Sequence, residues 1–433
     1  MSNTSKVYFT DFRTTDGNGR LVKLRKLIEK AGIDTIDFEK KFVAIKIHFG
    51  EPGNMSYLRP NFAKVVVDKV KELGGIPFLT DCNTLYVGLR KNAVEHIETA
   101  FENGFSPFST HCPIIIADGL KGTDEELVKI DGDYVKEAKI GRAIMDADVF
   151  ISLAHFKGHE STGFGGAIKN TGMGCGSRGG KMEMHTGGKP SVKENLCRGC
   201  HACAKQCAQN AISYVNNKAV IDHDKCVGCG RCLGSCNFDA IHNENSVAND
   251  ELCCRIAEYA LAVTKDRPCF YINIVNEVTP FCDCHDHNDA AIIPDVGMFA
   301  SFDPVALDTA CADACNEMPI MPNSRLSENI DELECECCDP NEEDCDCDCQ
   351  GHEKDACGCG KCDCENDEDE CDCDCDCDDE DCDCGCGDCD CDCDCDERDH
   401  FDDTFPETNW RAGIIHGEKI GLGTYDYELI TIK

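Results

Sequence analysis

Eight cysteines near the middle of the chain have the spacing of a metal-cluster site. Residues 197–207, CRGCHACAKQC, and residues 226–236, CVGCGRCLGSC, both follow C-x2-C-x2-C-x3-C. At this spacing three thiolates hold one corner of an iron–sulfur cube, and the fourth ligates the other cube of a two-cluster protein. The predicted ligand sets are Cys197, Cys200, Cys203 and Cys236 for one 4Fe–4S cluster, and Cys226, Cys229, Cys232 and Cys207 for the other. Paired C-x2-C motifs also bind zinc, but a double match to the eight-cysteine spacing favours iron–sulfur clusters.

The segment between the two motifs supports the same interpretation. Residues 211–222, AISYVNNKAVID, predict a β-hairpin with its turn at Asn216–Asn217. Bacterial motifs usually end in C-P, whereas Ala208 and Asn237 follow the fourth cysteines here. The thiolates are intact, so ligation is unaffected. Fully ligated clusters pass single electrons, and a purely structural pair of clusters is the alternative.

A second group of residues with chemical potential follows an apolar strand. His155, Lys157 and His159 fall at i, i+2 and i+4, so at a strand end they share one face. Two imidazoles and an ammonium at the carboxyl edge of a sheet suit an anionic substrate or a metal. The alternative is that the histidines hydrogen-bond the glycine-rich stretch that follows. Lys169 comes after glycines that let a ligand approach the backbone, which completes the candidate catalytic set.

The stretch CDCHDH at 282–287 is a further candidate site for a soft metal or for redox chemistry. Cys282 and Cys284 share a face if the chain is extended, and His285 or His287 can add a nitrogen. Thiolates with imidazole suit zinc, iron or nickel. The alternative is an ordinary pair of reduced cysteines beside a loop.

Two other patterns are weaker. KIHFGEPGN at 46–54 places His48 and Glu51 at a strand end, where they join the same edge of the sheet or serve loop structure. GCGSRG at 174–179 matches G-x-G-x-x-G. It follows no strand and precedes no clear helix, so a dinucleotide site is not predicted there.

The extreme composition of the chain is local. Of 39 cysteines and a net charge of −40, the segment 331–399 supplies 21 cysteines, 33 acidic residues and 3 basic ones. No basic stripe indicates nucleic acid, and no apolar run approaches the roughly 18 residues of a membrane span. The first residues lack a signal-peptide pattern. We therefore expect a cytoplasmic protein, in which cysteines serve metal or redox chemistry more often than disulfides.

Alternating elements predict an α/β fold with a mixed or mostly parallel sheet. Long apolar strands such as 42–49 and 148–156 are typical of strands buried on both faces. The predicted helices are Arg20–Lys30, Phe62–Leu73, Ala93–Asn103 and Val135–Met145. Residues 158–188, rich in glycine, are predicted to form a loop.

Five segments follow from these patterns. The α/β domain comprises 1–190, 245–326 and 404–433, interrupted by a two-cluster ferredoxin module at 191–244 and an acidic Cys/Asp-rich insert at 327–403. The insert has almost no aliphatic residues and is predicted to be disordered without metal. It is a metal reservoir, a donor of iron or nickel to the body, or an expanded low-complexity loop.

Several stretches together resemble a known family. They are KIHFGEPGNMSYLRP (46–60), FLTDCNTLYVGLRKNAVEH (78–96), AHFKGHESTGFGGAIKNTGMGCGSRGGK (154–181), VTPFCDC (278–284), IIPDVGMFASFDPVALD (292–308) and NWRAGIIHGEKIGLG (409–423). They are similar to the domain of unknown function 362 family, in particular to members with an internal two-cluster ferredoxin. The resemblance implies an α/β domain interrupted by that module, and no settled reaction.

Three functions remain open from the sequence. The first is an iron–sulfur redox protein of anaerobic metabolism that passes electrons through two 4Fe–4S clusters to or from a site in the α/β domain or a partner. The second is a metal-handling or cluster-assembly accessory protein without turnover. The third is a plain electron carrier. An additional soft metal ion is a possible further cofactor, and the expected partner is a redox protein or a small molecule.

Overall fold

A computed structural model describes residues 4–85, 88–185, 190–207, 209–226, 240–242, 247–335 and 399–432, with positions 232, 236 and 238. The chain divides into two compact units, Met1–Asn329 with His400–Lys433, and Ile330–Asp399. Within the second unit the described residues are the end of one helix and Asp399. Among the described helices, none has the length and apolar character needed to cross a bilayer.

An eight-stranded sheet forms the centre of the first unit. In spatial order its strands are β16 (Tyr427–Thr431), β1 (Ser5–Asp11), β15 (Gly297–Ser301), β14 (Cys269–Val275), β7 (Val149–His155), β2 (Phe42–Lys46), β3 (Ile76–Asp81) and β4 (Ile114–Ile116). Strand β15 runs antiparallel to both neighbours, and the remaining pairs are parallel. The predicted α/β class with a mostly parallel sheet is confirmed.

The described residues also form smaller elements. Four two-stranded sheets among them pair β5 (Glu125–Lys129) with β6 (Glu137–Gly141), β8 (Lys157–His159) with β9 (Gly163–Gly165), β10 (Ser191–Val192) with β13 (Ile241–His242), and β11 (Ile212–Val215) with β12 (Lys218–Ile221). The helices are α1 (Arg20–Lys30), α2 (Pro60–Glu72), α3 (Ala93–Glu102), α4 (Pro107–Thr110), α5 (Arg142–Met145), α6 (Ala167–Cys175), α7 (Arg178–Met184), α8 (Ala202–Gln206), α9 (Val247–Thr264), α10 (Pro304–Asn316), α11 (Arg325–Cys335), α12 (His400–Thr404) and α13 (Trp410–Lys419).

The two faces of the central strands differ in character because successive residues point to opposite sides. On one face, residues such as Ile45 and Ile151 join the main apolar core together with Leu27 of α1 and Val66 of α2. On the other face the strands carry polar side chains. There, Asn170 of α6 donates a 2.8 Å hydrogen bond to Ser152 Oγ and accepts one of 2.9 Å from Lys46 Nζ.

Helix α6 begins where a buried carboxylate of α10 meets it. Asp308 accepts hydrogen bonds from the backbone N–H groups of Ala167 (2.7 Å) and Ile168 (2.9 Å), which lack partners within the helix. Asn273 of β14 donates a third bond of 2.7 Å to the same carboxylate. A Cβ at Gly172 would lie 2.0 Å from the carbonyl oxygen of Ile256, so glycine is needed for the close approach of α6 and α9.

Two sequence predictions are wrong in this region. Residues 158–188 were expected to form a loop, but the described part contains β8, β9, α6 and α7, with glycines placed at helix contacts. Val135–Met145 was expected to be one helix, but the structure has β6 followed by the short α5. Ala138 and Ile140 are buried at period two while β6 pairs with β5. Strand pairing thus outweighs the helix propensity of Lys, Glu and Ala. The predicted helices Arg20–Lys30, Phe62–Leu73 and Ala93–Asn103 are confirmed to within two residues at either end.

The ends of the predicted insert 327–403 are helical rather than disordered, which corrects its boundaries. Helix α11 extends to residue 335 and α12 begins at residue 400, while 336–398 lie outside the described residues. Asn329 Nδ2 donates to the carbonyl oxygens of Asp403 (2.8 Å) and Thr404 (3.0 Å). The guanidinium of Arg325 lies 4.6 Å from the ring centre of Phe405. These contacts hold the chain on either side of the segment together.

Glu258 of α9 joins three parts of the fold. Its fully buried carboxylate accepts backbone hydrogen bonds from Asp133 (2.7 Å) and Val135 (2.6 Å) in the β5–β6 hairpin. His416 of α13 lies 2.9 Å from the same carboxylate through Nε2. Asp133, Glu258 and His416 also have the spacing of a metal site. The hydrogen bonds already made to Glu258 instead mark it as a structural anchor.

We expect Glu258→Ala to lower the free energy of unfolding by about 3 kcal/mol, because buried donors lose a charged acceptor. The control is Glu251→Ala on the same helix, which removes an i,i+4 pair with Arg255 and is expected to cost about 0.5 kcal/mol. Urea unfolding of both variants measures the difference. Equal effects would contradict the anchoring role.

Candidate functional site

The carboxyl ends of the central parallel strands surround one cavity. Its volume is about 790 Å³. Because β14, β7, β2 and β3 run in the same direction, the residues that follow them meet at one edge of the sheet. All the body residues singled out from the sequence line this cavity: His48, Glu51, His155, Lys157, His159, Lys169, Cys282, Cys284 and His285. At its mouth the wall includes the exposed Asp286 and His287.

Cys282 lies at the centre of a charged group within the cavity. Lys169 Nζ is 3.4 Å from Cys282 Sγ; the cysteine is buried and the lysine is partly buried. The hydrogen bond from Cys284 holds the pKa of Cys282 well below its ordinary value. Burial would raise this pKa, and the charges of Lys169 and Lys157 lower it further. Burial alone would lower the pKa of Lys169, but the negative charge at Cys282 raises it. The geometry therefore favours an ammonium beside a thiolate.

Asp283, between the two cysteines, was missed by the sequence reasoning. Its buried carboxylate lies 3.0 Å from His155 Nδ1 through both oxygens and 3.4 Å from Lys157 Nζ. Burial would raise the pKa of Asp283, but the charges of His155 and Lys157 hold it below its usual range. His155 Nε2 is 2.7 Å from the carbonyl oxygen of Asn276, so both ring nitrogens face acceptors. His155 thus positions the loop 276–284.

An imidazole near the two thiols belongs to His159. One donor atom each of His159, Cys282 and Cys284 lie within 4.8 Å of one another. His285, which the sequence offered as the third ligand, instead places Nε2 at 2.8 Å from Glu160 Oε1. That hydrogen bond raises the pKa of His285. Burial would raise the pKa of Glu160, but its neighbours His159 and His285 lower it to about 2.

Buried ion pairs form the opposite wall of the cavity. Arg90, which is 1% exposed, donates from Nε to Glu51 at 2.7 Å, and its Nη1 lies 2.9 Å from His48 Nε2. Burial, and then the charge of Arg90, hold the pKa of His48 well below its ordinary value. Lys46 Nζ is 3.1 Å from Asp81. Burial would raise the pKa of Asp81, but Lys46 holds it well below its usual range.

The glycine-containing match at 174–179 is not a dinucleotide motif. A helix does follow it, since α7 begins at Arg178, which corrects the sequence expectation. The element before it is α6, however, and not the strand that such a motif requires. Ser177 caps α7 by accepting a 3.0 Å hydrogen bond from the backbone N–H of Gly180.

The cysteine-rich region brings four thiols from both motifs together. Cys197, Cys200 and Cys203 of the first motif line one small cavity with Cys236 of the second. The predicted hairpin is confirmed as β11–β12, with positive φ at Asn216 (48°) and Asn217 (63°), as a two-residue type I′ turn requires. Of the second predicted ligand set, Cys229 lies outside the described residues.

Backbone N–H groups point at the sulfurs of two cysteines of the first motif. Ala219 N donates to Cys197 Sγ, and Ala211 N donates to Cys207 Sγ, each at 3.3 Å. Both donors belong to the hairpin segment, so the hairpin positions them. Hydrogen bonds of this kind stabilise negative charge on sulfur.

Residues 43–313 match the model of the family described as domain of unknown function DUF362. The chain belongs to the DUF362 family. Among solved structures, the DUF362 chain is similar to a Thermotoga maritima protein from a structural genomics consortium, at 14% identity and TM-score 0.38, covering 71% of this chain and 59% of that one. It is also similar to the lactate racemase apoprotein from Thermoanaerobacterium thermosaccharolyticum, at 9% identity and TM-score 0.30, covering 63% and 51%. The chain thus spans between half and three fifths of these two proteins. No curated protein matches it.

We expect Asp81→Asn to destabilise the fold by about 3 kcal/mol at pH 7, because Lys46 then stays buried without its counter-charge. The pKa of Asp81 is lowered in the folded state, so its contribution is present above the unfolded value of about 3.9 and is lost as the pH falls below it. The difference between parent and variant should therefore shrink at pH 3.

The control for this prediction is Asp68→Asn, which removes a partly exposed i,i+4 pair with Lys64 on α2. We expect it to cost about 0.5 kcal/mol. Unfolding by urea at both pH values measures the two variants. A difference for Asp81→Asn that does not depend on pH would show that its carboxylate does not carry the effect.

Proposed function

We propose that this protein is an iron–sulfur redox protein in which two 4Fe–4S clusters exchange electrons with the cavity of the α/β body. The main supporting observation is that Cys236 lines one small cavity together with Cys197, Cys200 and Cys203. Two-cluster ferredoxins take the fourth ligand of each cluster from the other motif, and this is the set that such a crossed pattern requires.

The chemistry of the donors fits a cluster better than a single ion. Four soft thiols, of which Cys197 accepts a backbone N–H hydrogen bond on its sulfur, suit an iron–sulfur cube, whose charge such a bond stabilises. By contrast, donor atoms of His159, Cys282 and Cys284 lie within 4.8 Å of one another, which is the spacing that a single metal ion needs. When bound, the clusters would accept and release single electrons.

The covalent path places the two regions close together. His185 lines the cavity of the body, and the next described residue, Pro190 at the border of the cysteine-rich segment, comes five residues later. Five residues span at most about 18 Å even when fully extended. Leu252 of α9, just after the cysteine-rich segment, lines the cavity as well. His185 and Leu252, which flank the segment in the sequence, thus both line the candidate site.

The body supplies the site at which the electrons are used. Lys157, His159 and Lys169 carry the polar groups that face Cys282, and His155 holds the adjacent loop through Asp283. A buried cavity of about 790 Å³ is of the size that binds small molecules. A plain electron carrier has no use for such a cavity, so a redox reaction on a small substrate is favoured.

Protein purified without oxygen should contain about eight iron and eight acid-labile sulfide per chain, with electron paramagnetic resonance signals on reduction. Cys236→Ala should lose about half of the iron. The matched control is Cys112→Ala, a buried cysteine whose Sγ lies 3.5 Å from the carbonyl oxygen of Pro113, and it should keep the full content. Zinc without sulfide in the parent, or full iron in Cys236→Ala, would contradict the proposal.

A further inference from the structure

We propose that Cys282 and Cys284 form a dithiol–disulfide couple, which takes two electrons singly from the clusters and passes them to a small disulfide bound in the cavity. The source of the electrons rests on the proposed function. The couple itself rests on the geometry of residues 282–285.

A tight turn brings the two cysteines within reach of each other. The backbone N–H of His285 donates to the carbonyl oxygen of Cys282 at 3.1 Å, which closes a β-turn with Cys282 first and Cys284 third. In an extended strand their Cα atoms would lie about 6.6 Å apart, and the turn shortens this. Disulfides span roughly 4.4–6.8 Å between Cα atoms, so a bridge is within range. The two sulfurs already lie within 4.8 Å and share a hydrogen bond.

The surroundings make the two sulfurs unequal. Lys169 Nζ lies 3.4 Å from Cys282 Sγ, and a ring nitrogen of His159 lies within 4.8 Å of this sulfur. These groups stabilise a thiolate at Cys282, while the adjacent Cys284 keeps its proton and donates it in the hydrogen bond. One reactive thiolate beside one protonated thiol is the arrangement by which a redox pair attacks and then resolves a disulfide.

The same contacts disfavour a metal ion held by these cysteines. An ammonium at 3.4 Å from Cys282 Sγ would repel a divalent cation at that sulfur. His159 Nδ1 accepts a 3.0 Å hydrogen bond from the backbone N–H of Ser161, so the proton of the neutral ring is on Nε2. No lone pair of that ring is then free to ligate a metal. The observations therefore favour redox chemistry at this pair, and metal binding becomes an outcome of the test.

The reaction balances in two steps. In the first, the S–S bond between Cys282 and Cys284 breaks as two electrons and one proton enter, leaving a thiolate beside Lys169 and a thiol. In the second, the Cys282 thiolate attacks the substrate disulfide and releases one substrate thiolate. Cys284 then attacks Cys282 Sγ, releasing the second substrate sulfur and giving up its proton, and the bridge reforms.

The couple can be titrated in the full chain. Protein purified without oxygen is equilibrated with mixtures of reduced and oxidised glutathione, quenched with acid, unfolded and alkylated. The mass of the fragment that contains 282–284 then reports the state of both cysteines. As the glutathione mixture becomes more oxidised, we expect Cys282 and Cys284 to change together from doubly alkylated to unalkylated, in one two-electron step. Cys112 should stay alkylated throughout.

Substitution of Lys169 tests the origin of the stabilisation. Lys169→Met removes the charge beside the thiolate, which destabilises the reduced state. The equilibrium should therefore move toward the disulfide by about tenfold, or about 30 mV for a two-electron couple. Lys169→Arg should restore most of the change. Lys64→Met, on the surface of α2, is the control and should leave the equilibrium unchanged.

Three results would overturn parts of the inference separately. If 282–284 keep both alkyl groups at every glutathione ratio, the couple does not exist. If the parent holds one zinc or iron that Cys282→Ser loses, the pair is a metal site. If reduced methyl viologen reduces the bridge equally fast in parent and in Cys236→Ala, the clusters are not the source of the electrons. Absence of iron and sulfide from the parent would instead contradict the proposed function alone.

Discussion

The buried carboxylate of Asp308 positions the helix on which the candidate site depends. It caps the start of α6, and one turn later that helix carries Lys169 to Cys282 and Asn170 to the polar face of the sheet. Burial raises the pKa of Asp308 to about 6, and the hydrogen bonds that it accepts oppose this rise. A helix of nine residues with two internal glycines is a poor helix former by itself. Its stability therefore comes from this cap and from its packing against α9.

The same logic extends around the cavity, where each buried charge described here has a partner of opposite sign. Asp283 is matched by His155 and Lys157, and Arg90 is matched by Glu51. Such pairs contribute little net stability, because desolvation offsets much of the attraction. What they provide is geometry: side chains that are fixed before any substrate arrives. The residues that face Cys282 are consequently held by the fold and require little ordering upon binding.

The sequence predicted the residues of the site that lie at strand ends, and the topology of the sheet explains why. His155 ends a strand, His48 and Cys282 come after strands, and a mostly parallel sheet brings strand ends to one edge. Asp283 and Arg90 gave no comparable signal, because an acid between two cysteines or an arginine in a loop is typical of exposed positions. Only the tertiary fold buries them.

Helix positions were predicted well where burial repeats with the helical period, as in α1 and α2. Val135–Met145 was predicted wrongly because its pairing with the preceding strand β5 is not visible within that stretch, and the glycines of α6 concealed a helix. Glycine lowers helix propensity in any window, yet at Gly172 the missing side chain is what admits α9. Local composition cannot distinguish a glycine that breaks a helix from one that lets two helices approach closely.

The contacts of Asn329 and Arg325 with the chain around Thr404 bear on how the length of the segment 336–398 can change in evolution. The body closes through residues on either side of 336–398, so its fold places no demand on how many residues lie between them. Doubling the length of a connecting segment costs only about 0.6 kcal/mol in closure entropy. Slippage during DNA replication could therefore lengthen or shorten an alternating Asp–Cys repeat with little effect on the free energy of unfolding, so selection for stability would act on such changes only weakly.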